Sequence, residues 1–312
     1  MSLADILRRL FRRPSQPAPL PSPDYRARFD AVYAANREAV DALTRAPSGS
    51  YELAYVHFAL GLIADKTGDL SYSAESLRLY ESEWANRSRW TKGHRQNELH
   101  FALGAARLAR RHRPEYLPMV ASLVSRADLA AAIKEARTSP NVCGSQAVMI
   151  ASIALDLGMN GAEEFFAAFR HRIEPFRDGS LLWDRERSMP WTETSQPGQD
   201  TSHAWRHICA FRTAYEHGLP GYSSAEMRGF ARLLGYVIWN QDSVRPSFAN
   251  YIDGGDGPFN GHPPGTFGNV LGGWPWLVQF DPQAKRAMQA LHDARRAGRM
   301  PSQWNDQPLA DL

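Results

Sequence analysis

The sequence predicts an all-α protein, folded as a toroid-like array of about five to six helical hairpins. Three observations favour this fold class. Nearly every segment after residue 24 has apolar residues at helical spacing, no useful stretch alternates with period two, and one type of helix recurs along the chain. Apolar residues make up 43% of the chain and charged residues 22%, which is typical of a globular protein and excludes disorder for most of its length.

We divide the chain into an amphipathic segment (1–13), a proline-rich linker (14–23), an all-α domain (24–300) and a tail (301–312). Residues 1–13 carry the whole net charge of +3, so the rest sums to zero and nucleic-acid binding is not expected. Residues 2–13 can form an amphipathic helix that docks on a membrane surface or a partner protein, the alternative being a frayed terminus.

The start of the chain does not resemble a secretory signal peptide, because its apolar residues alternate with arginines and no small-residue cleavage site follows. Windows long and apolar enough to cross a membrane are also missing from the sequence. We therefore expect a cytoplasmic protein, with peripheral attachment to the inner face of a membrane as the variant that residues 2–13 allow.

The domain is predicted to be helical from end to end. Its predicted helices are Tyr25–Thr44, Tyr51–Lys66, Ser71–Trp90, Arg95–Arg111, a pair within Pro114–Arg137, Cys143–Leu157, Ala162–Phe176, Ser202–His217, Ser224–Trp239 and Gln283–Ala297, with a short last helix within Asn269–Phe280. Glycines follow several of them, as is typical of helix ends.

One type of helix recurs, with a polar start and a body rich in small and apolar residues. Its copies begin at Tyr51, Asn97, Gly144 and Ser202, roughly 45–60 residues apart, with a more amphipathic helix between each pair. Small residues let inner helices approach closely, and the polar starts would meet at one end of a closed ring. An irregular bundle and an open solenoid are the alternatives.

The helix that begins near Asp200 has the clearest start in the sequence. The side chains of Asp200, Thr201 and Ser202 can accept hydrogen bonds from the N–H groups of a first helical turn. His203 and His207 follow, one turn apart. A long stretch rich in Gly and Pro, 247–265, comes later and contains aromatic residues, which favours an ordered functional loop.

These motifs resemble a known group of proteins. Asp200-Thr201-Ser202-His203-Ala204 at a helix start, the upstream Leu181-Leu182-Trp183 and the downstream aromatic, Asp/Gly-rich loop are similar to the six-hairpin (α/α)-toroid superfamily of carbohydrate-active enzymes. That superfamily includes unsaturated glucuronyl hydrolases, polysaccharide lyases and glucuronyl C5-epimerases. The resemblance implies a saccharide substrate at the mouth of the ring. His203 stands where the glucuronyl hydrolases have a small residue, which leaves the reaction type open.

Two mechanisms fit the residues. Hydrolysis needs two carboxylates, about 5 Å apart for retention or 6.5–9.5 Å for inversion, and Asp253 or Asp256 opposite Asp200 is the expected pairing, with Asp184 as a further candidate. A uronate lyase or epimerase needs a base for the C5 proton, here His203 or Tyr251, and groups that neutralise the carboxylate. The predicted catalytic residues are Asp200, His203, Tyr251 and Asp253.

Sugar rings stack on aromatic side chains, and their hydroxyl groups bind polar ones. The predicted substrate-binding residues are Trp183, Asp184, Arg187, Trp205, Arg206, Asn250, Asp256, Trp274 and Trp276, with Arg187, Arg206 and Asn250 as carboxylate neutralisers. The purely structural alternative is that Asp200 only caps its helix, His203 forms a hydrogen bond with a neighbouring hairpin, and the indole rings pack in the core. The competing function is a non-catalytic helical scaffold that binds a protein or glycan, in one variant within a membrane-associated polysaccharide assembly.

No metal or cofactor is expected. His203 and His207 lack the intervening glutamate of a His-Glu-x-x-His site and a third ligand, and the chain contains no phosphate-binding glycine motif. A Ser-His-Asp hydrolase is supported even less, because the sequence has no Gly-x-Ser-x-Gly motif and no strand to build a nucleophile elbow. The two cysteines, Cys143 and Cys209, lie among apolar residues and are expected to be buried free thiols.

Overall fold

The computed structural model describes residues 23–90, 95–139, 143–184, 199–255 and 270–297. These parts of the chain are mostly helical, which confirms the all-α class. The α-helices are α1 Pro23–Leu43, α2 Gly49–Thr67, α3 Leu70–Ala85, α4 Arg95–Arg111, α5 Leu117–Ala121, α6 Arg126–Thr138, α7 Ser145–Asp156, α8 Ala162–Arg170, α9 Thr201–Glu216, α10 Ser224–Arg232 and α11 Pro282–Arg296. The predicted segments 1–13 and 301–312 lie outside the described residues, as does nearly all of the linker 14–23.

One predicted helix ends earlier than expected, and another changes its hydrogen-bond spacing near its end. The segment predicted as Ala162–Phe176 leaves the helix after Arg170 and enters a short antiparallel hairpin, β1 Ile173–Pro175 with β2 Leu181–Trp183, in which Ile173 faces Trp183. The segment predicted as Ser224–Trp239 changes at Leu233–Ile238 into a π-helix, whose wider hydrogen-bond spacing is often found at functional sites. The prediction of helix beyond Arg170 was wrong, whereas helix at Leu233–Ile238 is confirmed with a different hydrogen-bond spacing.

The chain forms two compact units. The first contains α1–α5 and the stretch 153–159 at the end of α7. Its core includes a buried polar group in which the His57 ring on α2 bonds Ser76 Oγ at 2.8 Å and Glu83 Oε2 at 3.0 Å, both on α3, with Tyr80 stacked on the ring. This network joins α2 to α3 through hydrogen-bonded polar groups that water does not reach.

The second unit contains α6, the stretch 145–152 of α7 and the remaining elements to α11. Its centre is α9, which is buried along most of its length. Phe211 of α9 stacks on Phe230 of α10 at 4.4 Å between ring centroids, and Ser152 of α7 bonds Thr213 of α9 at 2.8 Å. The residues that sequence analysis selected for a site, where described, lie in this unit.

Within the described residues, no single helix combines the length and apolar character needed to span a membrane; the consecutive helices Pro114–Ala121 and Arg126–Thr138 meet the criteria only as a pair, by length and composition alone.

Candidate functional site

The start of α9 is built around the carboxylate of Asp200. Asp200 is the N-cap residue, and its Oδ1 accepts a hydrogen bond from the backbone N–H of His203 at 2.9 Å. Ser202 Oγ donates to the same oxygen, and Gln199 Nε2 donates to Oδ2 at 3.2 Å. The predicted capping role is therefore confirmed, and the side chain is almost completely buried under the groups that bond it.

Asp200 also holds the imidazole of His203. Nδ1 of the ring lies 2.9 Å from both carboxylate oxygens, and 38% of the His203 side chain is exposed. Burial alone would raise the pKa of Asp200, but the ring of His203 and the donors from Ser202 and the His203 backbone lower it below its ordinary value. Asp200 is therefore an ionised acceptor at neutral pH.

An ionised carboxylate can only accept hydrogen bonds, so Nδ1 of His203 must carry a proton to form this contact. In the neutral ring the basic lone pair is then on Nε2. This is the arrangement in which a carboxylate fixes the tautomer and the direction of a histidine that transfers protons. The first turn of α9 therefore presents a partly exposed imidazole whose tautomer is set by Asp200.

A second chain segment, 249–255, lies against the start of α9. Asp200 and Tyr251 form an antiparallel bridge, the N–H of Thr201 donates to Asn250 O at 2.9 Å, and the N–H of Ile252 donates to Gln199 O at 3.1 Å. These backbone bonds bring together three of the four predicted catalytic residues, Asp200, His203 and Tyr251. Asp253 follows two residues after Tyr251.

Tyr251 is fully buried beside the two acidic residues. Burial raises the pKa of its phenol to about 12, and the negative charges of Asp200 and Asp253 add to the shift, so the phenol is neutral at physiological pH. The side chain of Asp253 is partly exposed, and its Oδ1 accepts the N–H of Gly255 at 2.9 Å in a tight turn. Tyr251 is thus a neutral, buried neighbour of Asp200, whereas Asp253 is open to solvent in part.

The predicted sugar-stacking tryptophans are in the core. Trp183, Trp205 and Trp274 are 0% exposed, and Trp276 is 7% exposed. Trp183 packs edge-on against Phe211 and Phe230 and lies 6.2 Å from Trp274, measured between ring centroids, and Trp274 Nε1 donates to Thr201 O at 3.1 Å. Because three of these rings have no open face, a sugar cannot stack on them in this conformation, and they support α9 from behind.

Two of the predicted carboxylate neutralisers are also buried. Arg206 is 0% exposed, with its guanidinium carbon 5.2 Å from the centroid of the Trp205 ring, and Asn250 is 0% exposed. A group that neutralises a substrate carboxylate must reach the substrate, and these two side chains do not reach the surface. The third, Arg187, lies outside the described residues, as does Asp256.

Asp184, predicted to bind substrate, instead forms a buried cluster behind β2. Its carboxylate accepts Arg172 Nε on one oxygen and the backbone N–H of Cys143 at 3.0 Å on the other. The side chain is 0% exposed, and burial raises its pKa to about 6 even though Arg172 and the Cys143 N–H act in the opposite direction. Asp184 also has a φ of 52°, a left-handed conformation that Asp adopts more readily than most residues.

His207 belongs to this buried cluster and not to the surface of the site. Its Nε2 lies 3.2 Å from Cys143 O and 3.9 Å from Asp184 Oδ2, and its ring is fully buried. Burial lowers its pKa to about 3, so the ring is neutral and Nε2–H donates to the Cys143 carbonyl. Cys143 and Cys209 are buried free thiols, as the sequence predicts. In the described parts of the chain no group of three or more His, Cys, Asp or Glu residues could hold a metal ion.

Three residues that contribute to this region were missed in the sequence. Ser202 was recognised only as a helix starter and Gln199 not at all, although both donate to Asp200. Arg177, in the turn between β1 and β2, donates through Nη2 to Asp253 O at 3.3 Å. Ser202 could have been found from its place two residues after the cap, but the contact of Arg177 spans 76 residues and leaves no local signal.

Comparison with known proteins does not identify the chain: no family model, no curated protein and no solved structure matches it.

Proposed function

We propose that this protein catalyses proton transfer on a uronate-containing saccharide, as a lyase or a C5-epimerase, with His203 as the base and Asp200 as the residue that orients it. The observation that carries the proposal is the contact of His203 Nδ1 with both oxygens of an ionised Asp200, 2.9 Å each, on a ring that is 38% exposed. The saccharide substrate comes from the resemblance of the helix start and the two loops to carbohydrate-active toroids.

The reaction needs this base and a group that neutralises the carboxylate of the substrate. Nε2 of His203 takes the proton from C5 of the uronate, and the electron pair of the broken C–H bond moves toward the carboxylate. In a lyase the C4–O bond then breaks, the C4–C5 double bond forms, and the imidazolium returns its proton to the leaving oxygen when both groups leave from one face. In an epimerase a proton from solvent water returns to C5 from the opposite face, and the imidazolium of His203 then releases its proton to solvent.

Hydrolysis is supported less well. A glycosidase needs one protonated carboxyl group and one free carboxylate on either side of the bond. The pKa of Asp200 is lowered and its oxygens accept bonds from Ser202, His203 and Gln199, so Asp200 can neither deliver a proton nor approach an anomeric carbon readily. A hydrolase would have to use Asp253 together with a carboxylate outside the described residues, for which Asp256 is the sequence candidate.

We also propose the closed ring of helical hairpins as the finer architecture. Its support is the alternation of burial along the chain. Of the helices that recur in the sequence as inner helices, α7 and α9 are buried over most of their length, and about half of the residues of α2 and α4 are buried. The helices α3, α6 and α8 between them bury a smaller share of their residues. Inner helices that are more buried than the outer ones are what a ring of hairpins requires.

The test is a comparison of the wild type with His203→Gln, Asp200→Asn and a control, His171→Gln, which changes an exposed histidine of the same unit. Each protein is incubated in deuterated water with polygalacturonate, alginate, glucuronan and a neutral glucan. Three products are followed: the ultraviolet absorbance of 4,5-unsaturated uronates, deuterium at uronate C5, and new reducing ends without absorbance.

We expect absorbance or C5 deuterium from the wild type and from His171→Gln on at least one uronate polymer, and neither on the glucan. His203→Gln should lose about 10²–10⁴-fold in rate. Asp200→Asn should lose activity as well, because the amide N–H₂ of asparagine can face Nδ1 and move the ring proton to Nε2. Reducing ends without absorbance would replace this proposal by hydrolysis. If the folded wild type changes none of the polymers, the non-catalytic scaffold, including the membrane-docked variant based on residues 2–13, becomes the better explanation.

A further inference from the structure

An arginine that sequence analysis did not select lies beside the loop that carries Asp253. Arg177 opens the short 3-10 turn Arg177–Gly179, which joins β1 to β2, and its side chain is exposed. Nη2 donates to the backbone carbonyl of Asp253 at 3.3 Å, and the guanidinium carbon lies 5.4 Å from the centroid of the Phe176 ring. These contacts hold the guanidinium at one place on the surface of the second unit.

The loop opposite Arg177 is shaped to admit it. Gly254 has a φ of 85°, and a Cβ at this position would lie 2.3 Å from Nη2 of Arg177 and 3.0 Å from Val237 O. Any other residue here would both strain the backbone and displace the guanidinium. The sequence Asp253-Gly254-Gly255 therefore lets the backbone come close to a charged side chain, at the loop that also positions Tyr251.

The electrostatics of the region call for such a cation. Asp200 and Asp253 both act on the Tyr251 phenol with negative charge, so they would also repel a substrate that carries a carboxylate. Arg206 and Asn250, which were predicted from the sequence to neutralise the carboxylate of the substrate, are buried. Arg177 has five N–H donors, of which one is used on Asp253 O, and no carboxylate in the described ranges forms an ion pair with it.

We propose that Arg177 binds the carboxylate of the uronate and so determines the preference of this site for acidic over neutral sugars. The planar guanidinium can bind a carboxylate through two parallel N–H groups, which fixes the orientation of the sugar as well as its charge. This inference rests on the proposed function and adds the residue that recognises the substrate class. Arg177 is a specificity residue, whereas His203 remains the reacting group.

The inference is tested by binding, which does not require turnover. We would titrate saturated di- and trigalacturonate into the His203→Gln protein, which cannot consume them through the proposed base. Maltotriose is the neutral counterpart. The dissociation constants are measured by calorimetry and by NMR. The same titrations are repeated with two double variants, in which Arg177→Gln or Arg177→Lys is added to His203→Gln. The control, Arg228→Gln, removes the same charge from an exposed position on α10.

Losing a charge-assisted bond to the carboxylate should weaken uronate binding about 10- to 100-fold in Arg177→Gln. Arg177→Lys should recover part of the loss, because the charge remains but the two-bond geometry does not. Maltotriose binding, and all binding by Arg228→Gln, should be unchanged. If adding Arg177→Gln to the His203→Gln protein leaves uronate binding unchanged, Arg177 is not the specificity residue, and the proposed function still stands. If the wild type and the His203→Gln protein bind no galacturonate, and the wild type changes none of the three uronate polymers, the proposed function itself fails.

Discussion

The buried carboxylate of Asp184 gives the sharpest test of how the second unit is held together, through the change Asp184→Asn. Two effects oppose one another at this position. Breaking a buried ion pair with Arg172 usually costs about 3–5 kcal/mol, because a charge is left without its partner. Burial, however, already makes the ionised form of Asp184 unfavourable, since the pKa rises from its ordinary value of 3.8 to about 6.

The raised pKa fixes the sign of the pH dependence. The folded protein binds a proton at Asp184 more tightly than the unfolded chain does, so the stability contributed by this group is complete below about pH 4 and is lost as the pH rises through about 6. The loss is about 2–3 kcal/mol, at 1.36 kcal/mol per pKa unit and allowing for relaxation around the pair. Asparagine is neutral at every pH and tolerates a φ of 52°.

The free energy of unfolding is to be measured in urea for the wild type and Asp184→Asn at pH 4.5 and pH 7.5. We expect the variant to gain about 2 kcal/mol relative to the wild type between the two conditions. Asp178→Asn is the matched control, because Asp178 also has a left-handed φ, of 58°, but is exposed. A variant that instead becomes less stable relative to the wild type at pH 7.5 would show that the ion pair with Arg172 outweighs the burial of charge.

Three further outcomes follow from the contacts of the same unit. Asp200→Ala should lower the free energy of unfolding in urea by about 2–4 kcal/mol, because a helix cap and several buried donors lose their acceptor. The control Ser223→Ala, at the exposed cap of α10, should lower it by about 1 kcal/mol. Equal losses would contradict the buried arrangement of Asp200. The pKa of Asp200 is lowered in the folded protein, so its contribution to stability is present above the unfolded pKa and is lost as the pH falls through the folded value. The stability advantage of the wild type over Asp200→Asn should therefore shrink during an acid titration followed by circular dichroism. Gly254→Ala should cost about 1–3 kcal/mol more than Gly218→Ala, whose φ of 68° is similar but whose added Cβ meets nothing within 4 Å. The cost comes from the backbone oxygen of Val237 at 3.0 Å, since the end of the Arg177 side chain can move aside, and similar unfolding midpoints would contradict this close approach.

Local patterns in the sequence predicted what is decided locally. The helix Arg95–Arg111 was predicted with its observed bounds, and the cap at Asp200 was predicted because a capping side chain bonds within its own turn. The hairpin of β1 and β2 was missed because each strand has three residues, too few to show an alternating pattern, and the phenylalanines of α8 continue the helical spacing up to Phe176.

Burial could not be predicted in the same way, because it depends on partners far along the chain. Trp183 lies next to Trp274, and Trp274 reaches Thr201, so each indole is enclosed by elements that one local window does not contain. Loop-flanking tryptophans therefore resembled a sugar platform in the sequence and are core residues in the structure. The contact of Arg177 with Asp253 was hidden for the same reason.

The two units show why residue type alone does not define a catalytic group. His57 bonds Ser76 through one ring nitrogen and Glu83 through the other, which is the composition of a hydrolytic triad, yet all three side chains are buried and the serine lies within α3. His203 contacts the Asp200 carboxylate through Nδ1, and its side chain is 38% exposed. Proton transfer to a substrate needs contact with that substrate, so exposure decides between the two. The polar network around His57 stabilises the first unit, and the pair Asp200–His203 is where we propose that chemistry on a ligand occurs.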